Sequence, residues 1–215
     1  MRVSLSNPGL RRALLGGVLG VLLFTGRTFA AAVNFDFKDP KGVNTISFLL
    51  DSVLEPILGI ASGISGTVSF DPENPKATTG RIIVQTGSLH IENKKMQDTL
   101  LGPDWLDAAQ YPTIEFTFKK ITDSKSTEKN VYDLTVVGDL TCKGVTKEMT
   151  VQMKATFLLD KLGERNRDKK GDLLVLRSTF VMKRTDFGIK PDSSDKSVAN
   201  DIELRVSIVG GASRE

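Results

Sequence analysis

The sequence is poor in the side chains that most chemistry needs. Its 215 residues include one cysteine, one histidine, one tryptophan and two tyrosines. With Cys142 alone, an intramolecular disulfide is excluded, so stability must come from a packed core even in an oxidising compartment. One cysteine and one histidine, His90, cannot assemble a typical zinc site. No serine lies in a nucleophile-elbow motif. An excess of one charge is missing too. The chain as a whole is +3, but Arg2, Arg11, Arg12 and Arg27 fall in residues 1–30, which hold no acid. Beyond them, 25 of the 29 Lys and Arg face 26 Asp and Glu. That balance leaves no electrostatic footprint for nucleic acid, and none is expected as a partner.

Residues 1–30 read as a secretory signal peptide: a basic start, an apolar run from Ala13 to Phe24, then small residues with cleavage sites around Ala30–Ala32. The run is shorter than the ~20 residues that span a bilayer. The expected location is therefore periplasmic or secreted. Residues 31–215 are enough for one sizeable domain, and no linker of biased composition divides them.

From Phe35 onward the pattern is strands and turns. Ile46, Phe48 and Leu50 alternate with polar neighbours, as do Val68 and Phe70. The same holds for Tyr132, Leu134 and Val136, for Met149 to Phe157, for Leu174 to Met182, and for Ile202 to Ile208. The glycine-rich segment Gly59–Gly66 predicts a bulge or bend. Asn93 is placed to cap a helix carrying Met96, Leu100 and Leu101 on one face. The absence of repeating helices between strands excludes parallel β-α-β units. An antiparallel meander of about eight strands must bury one face by sandwiching or by closing into a barrel, and periodicity does not choose between them.

The organising stretch runs from Leu101 to Phe118. Pro103 and Asp104 suit a helix start, and Trp105, Leu106 and Ala109 share a helical face. Tyr111-Pro112 breaks it, and Ile114, Phe116 and Phe118 then alternate as a half-buried strand. The residues Asp104-Trp105-Leu106-Asp107 with Tyr111-Pro112-Thr113-Ile114 and Phe116 resemble a signature of the YceI-like family. Two more segments match in order: Gly138 to Thr141 with Lys143 to Lys147, and Arg184 to Ile189. This resemblance implies an all-β, antiparallel lipocalin-like barrel holding a long isoprenoid or fatty lipid, and the Asn93–Gln110 insertion has the place and polarity of a lid. Histidines of the family's opening pattern have no counterpart here; Asn44 and Asp51 are the polar groups expected near the barrel mouth instead.

On that basis the ligand-binding residues are Phe48, Trp105, Leu106, Tyr111, Ile114, Phe116, Phe118, Phe157, Phe180, Arg184 and Phe187. Arg184 shares parity with Phe180 and Met182, so it must be paired or meet an anionic head. No catalytic or metal-ligating residues and no cofactor other than the bound lipid are expected. Transient membrane contact and a homodimer fit the reading. The other readings are a structural or adhesive module with a filled core and a lipid- or quinone-modifying enzyme.

Overall fold

The computed structural model describes residues 1, 32–194 and 197–214, so all but the first residue of the expected leader lies outside it. Among the described residues there are eleven strands and two short α-helices. The strands are β1 (Val33–Asp36), β2 (Thr45–Leu50), β3 (Ile57–Ala61), β4 (Ile64–Phe70), β5 (Thr79–Gln85) and β6 (Leu89–His90). Helix α1 (Lys94–Leu101) precedes β7 (Thr113–Glu128), β8 (Val131–Cys142) and β9 (Val145–Leu158). Helix α2 (Leu162–Arg165), β10 (Gly171–Lys183) and β11 (Asp201–Ser213) complete the chain.

All pairings are antiparallel. The ring β1-β4-β5-β7-β8-β9-β10-β11 closes back on β1 as an eight-strand barrel. Strands β2, β3 and β6 continue its first three walls toward the end that carries α1. The final strand pairs with both halves of the first wall, Gly211 with Asp36 and Val206 with Ile46. Sequence alternation thus becomes a closed wall, and closure removes most of the edge that would otherwise invite association.

The first wall is broken between β1 and β2 because Asn44 is buried there. Its side-chain amide donates to the carbonyls of Phe37 and Val209, at 3.2 and 3.1 Å, and its Oδ1 accepts from Val209 N at 2.9 Å. It is therefore a lock on the strand break and not a group at the mouth; Asp51 is exposed just after the end of β2. Asp39 holds the same loop. Burial raises its pKa, but the amides of Asn44 and Lys41 and the Arg165 charge at 3.3 Å outweigh that and leave it lowered. The second wall bends at Ser62-Gly63, inside the glycine-rich segment.

Helix α1 starts where Asn93 Oδ1 accepts from Met96 N at 3.1 Å. It ends at Leu101, the last residue of the apolar face expected of this helix; the second helical turn expected from Pro103 to Ala109 does not form. Residues 102–111 are successive turns instead. Asp107 takes a positive φ of 46°, which a right-handed helix cannot absorb, and its amide donates to Gly102 O at 2.8 Å. Leu106 still reaches the core, 5 % exposed. The segment fits where β6 and β7 part at the α1 end.

Candidate functional site

Alternation sends one face of every strand inward, and two apolar clusters result. Away from α1, Phe35, Phe70, Tyr132, Leu134, Phe157, Leu174 and Leu176 fill the lumen. Rings there meet edge-on: Phe35 with Phe157 at 6.2 Å between centroids and Phe70 with Tyr132 at 5.5 Å. Toward α1 the inward residues form a second cluster and Phe116 meets Phe118 edge-on at 5.5 Å, but the side chains do not fill the lumen. They surround a cavity of about 140 Å³. Ile82, Phe118, Val151, Met153 and Ile208 form its floor, and Phe48, Phe116, Leu140, Phe180, Met182 and Leu204 its walls. Leu100, Trp105, Leu106 and Ile189 lie at its α1 end.

The lining is apolar but for Glu115 and Ser178. Glu115 turns its carboxylate to Arg81 at 3.2 Å and to the hydroxyl of Thr113 at 3.2 Å. Ser178 donates to Gln152 O at 2.6 Å. Neither offers a free charge to the interior. Such a cavity stays dry, and leaving it empty costs about 3 kcal/mol at ~24 cal/mol per Å³. A second depression between α1, the end of β2 and Ser197-Val198 shares Leu50, Leu100 and Trp105 with the cavity and marks its mouth. Val53 and Leu54, on the turn between β2 and β3 next to it, are 79 % and 72 % exposed.

Of the residues singled out from sequence, Phe48, Trp105, Leu106, Ile114, Phe116, Phe118 and Phe180 line this cavity. Four lie elsewhere. Phe157 belongs to the filled end, against Phe35 and Phe70. Arg184 is wholly buried, and its Nε, Nη1 and Nη2 donate to the carbonyls of Ala199, Ile189, Lys190, Ser193 and Val198. It organises the segment between β10 and β11; its hydrogen-bonding capacity is spent on backbone and not directed at the cavity. Phe187 is buried in the short 3-10 turn that follows β10.

Tyr111 packs on the β8–β9 turn. That turn needs two residues of positive φ, Lys143 at 47° and Gly144 at 75°, and a Cβ on Gly144 would lie 2.6 Å from Tyr111 Cε1. Lys143 Nζ then donates to Asp104 O at 3.2 Å and Gly188 O at 3.0 Å, while Lys190 N donates to Asp104 O at 3.1 Å. The three sequence signatures therefore meet at one end of the barrel. Their apolar residues Trp105, Leu106, Ile114, Phe116, Leu140 and Ile189 line the cavity, and their polar and turn residues fasten the turns around it.

Residues not singled out, among them Met153, Met182, Leu204 and Ile208, line the cavity as well. Their signal was the alternating row each sits in, which looks alike in a filled or hollow barrel. Cys142 also lines it, and burial pushes its thiol up to about 12. Among the described residues no three His, Cys, Asp or Glu gather as a metal site. His90 is exposed, 3.9 Å from Glu92.

Comparison with known proteins agrees with this architecture. Protein YceI of Escherichia coli is 28% identical over 204 residues, covering 94% of this chain and 98% of that protein. A UPF0312 protein of Yersinia pestis is also 28% identical over 204 residues, covering 94% and 97%. Among solved structures, BcnA of Burkholderia cenocepacia superposes with a TM-score of 0.61 at 23% identity, over 77% of this chain and 95% of that one. A polyisoprenoid binding domain from Saccharophagus degradans gives 0.58 at 11% identity, over 84% and 99%. The family model described as the YceI-like domain matches residues 27–210, and the chain belongs to that family.

Proposed function

We propose that this protein binds the chain of an isoprenoid or fatty lipid in its barrel cavity and carries or stores it in the envelope compartment to which its leader directs it. The observation that carries the reading is the apolar cavity at the α1 end, bounded by a filled core on one side and a mouth on the other. Each methylene moved from water into such a space contributes ~0.8 kcal/mol, so a chain binds without a charged contact. The polyisoprenoid binding domain that shares the fold supports the ligand class. Exposed Val53 and Leu54 beside the mouth give a transient membrane contact a place to form. A filled structural module is less well supported, because the side chains leave this half of the lumen open.

The test is native mass spectrometry of protein purified without detergent, followed by organic extraction. A stoichiometric adduct that extracts as a polyprenyl or acyl chain is the expected result, and Phe116→Arg or Phe180→Arg should abolish it while the barrel remains folded. A mass unchanged after exposure to such lipids would overturn the reading.

A further inference from the structure

The barrel wall has a seam. Strands β8 and β9 pair from Val131 to Cys142, and β10 and β11 pair along their whole length. Between them, β9 and β10 pair only from Leu158 and Leu173 to Met153 and Ser178. Beyond that point both strands continue, β9 back to Val145 and β10 on to Lys183, with no ladder pairing assigned between them. The ladder ends in a side-chain bond, Ser178 Oγ to Gln152 O at 2.6 Å.

A groove of about 480 Å³ lies on the outer wall at this seam. Met153, Ser178 and Val206 border both the groove and the interior cavity. The remaining lining is polar and carries three cations, Lys154, Arg177 and Arg205, against one carboxylate, Asp133. Lys154 and Arg177 stand directly opposite each other across the strand pair, and Arg205 is diagonal to Arg177, opposite Thr179. Like charges set opposite one another in a sheet cost stability. Lys154 is compensated by Asp133 at 2.9 Å and Arg205 faces Glu203 at 3.6 Å. For Arg177 the contacts are the carbonyls of Leu176 and Ile208, at 3.1 and 3.3 Å, with no carboxylate within ion-pair distance among the described residues. Burial against the sheet, with the nearby charge of Arg165 adding to it, lowers its pKa from the ordinary arginine value.

We propose that this groove is an anion site for a phosphate group, with Arg177 and Arg205 as its charged donors and Lys154, Thr179 and Ser207 around them. A guanidinium fork presents paired donors that match phosphate oxygens, and a bound anion would relieve the repulsion built into the strand pair. Two sources carry that chemistry. One is inorganic phosphate. The other is the head of a phosphorylated lipid whose chain enters the cavity through the seam, and this second source rests on the chain-binding reading above.

The experiment compares three probes on the purified whole chain by titration calorimetry: inorganic phosphate, a prenyl phosphate, and the prenyl alcohol of the same length. Arg177→Gln with Arg205→Gln is the main variant. Arg205→Gln alone, at a side chain 67 % exposed, is the second in case the pair perturbs folding. The expected result is that the prenyl phosphate binds about 10-fold more tightly than the alcohol, the weight of one charge-assisted hydrogen bond. Added salt should reduce the preference. The paired variant should abolish it and leave the alcohol unaffected, and the single variant should reduce it. Phosphate binding that is likewise lost in the variants, with neither prenyl compound bound, would support the groove with free phosphate as its ligand and defeat the chain-binding reading instead. Equal affinity for phosphate and alcohol with no binding of inorganic phosphate, or a preference that survives both variants, would overturn the site.

Discussion

At the end away from α1, Phe35, Phe70, Phe157 and Tyr132 turn their rings toward one another across the lumen and exclude everything else. At the α1 end, rings of the same kind border a space. Phe48 lies against the wall itself, directly over Gly59, its pairing partner on β3. A Cβ there would sit 2.2 Å from Phe48 Cζ. Hollowness thus does not come from weaker hydrophobicity. Rings lie over glycine at both ends, Phe48 on Gly59 and Phe37 on Gly210, so what sets the hollow end apart is the frame of turns that holds it open.

The comparison is tested most severely by truncating one ring at each end. Phe35, 0 % exposed, is surrounded on all sides, so Phe35→Ala should cost about 3–5 kcal/mol of stability. Phe180 borders the cavity and is only partly buried, so its ring has fewer packing contacts to lose. Phe180→Ala should cost about half as much or less, yet weaken chain uptake, which Phe35→Ala in a protein still folded should leave intact. Equal costs in thermal unfolding would mean the α1 end is as tightly packed as the other.

Next in size is the frame. Arg184→Ala would leave five backbone carbonyls without their donor in a segment that helps roof the cavity. Buried acceptors left unmade carry a full desolvation penalty, so a loss of about 3 kcal/mol or more is expected. Amide exchange should accelerate locally, between Ile189 and Val198, with the barrel strands less affected. Exchange that rises uniformly would show that the roof is not a separate unit.

These two residues also mark what was legible beforehand. The inward rows, the antiparallel class, the Asn93 cap and the bend in the glycine-rich segment follow from period and turn chemistry, while closure of the barrel came from the family resemblance. The need of Arg184 for partners follows from the same pattern. The five carbonyls it meets do not, because they are backbone atoms of a loop and carry no residue-type signature. Asn44 misled in the same way: a buried asparagine fastening a strand break resembles one at a mouth until its partners are placed. Helix α1 stops at Leu101 because Gly102 is already extended, whereas the helical pattern of Trp105, Leu106 and Ala109 gives way to turns that include the positive φ of Asp107. Whether a row of phenylalanines fills a barrel or lines one is decided by ring orientation, which alternation does not encode.

Gly59→Ala sharpens the comparison at lower cost. The new methyl must displace the Phe48 ring and meets His90 O at 2.6 Å, so about 1–3 kcal/mol of overpacking strain is expected. The ring can move only into the cavity. Long-chain uptake should fall more than short-chain uptake, measured by displacement of a fluorescent fatty acid. An unchanged length preference would mean that Phe48 does not set the width of the site.

The smallest effect concerns protons. Cys142 lines the cavity in the α1 half, and burial raises its thiol from 9.0 to about 12, with Lys143 pulling only weakly the other way. The folded state then keeps a proton that the unfolded state releases, so the stability from the neutral buried thiol is fully present below pH 9.0 and is lost as pH climbs toward about 12. Cys142→Ser keeps the size but not the titration, and unfolding midpoints of the two proteins should converge across that alkaline window. At pH 8 a polar thiol reagent should label the native protein far more slowly than the denatured chain, since only the thiolate reacts. Rapid labelling would place the thiol in contact with water. The cavity would then be wet at the level of Cys142, and the contrast between a dry hollow end and a dry filled one would have to be abandoned.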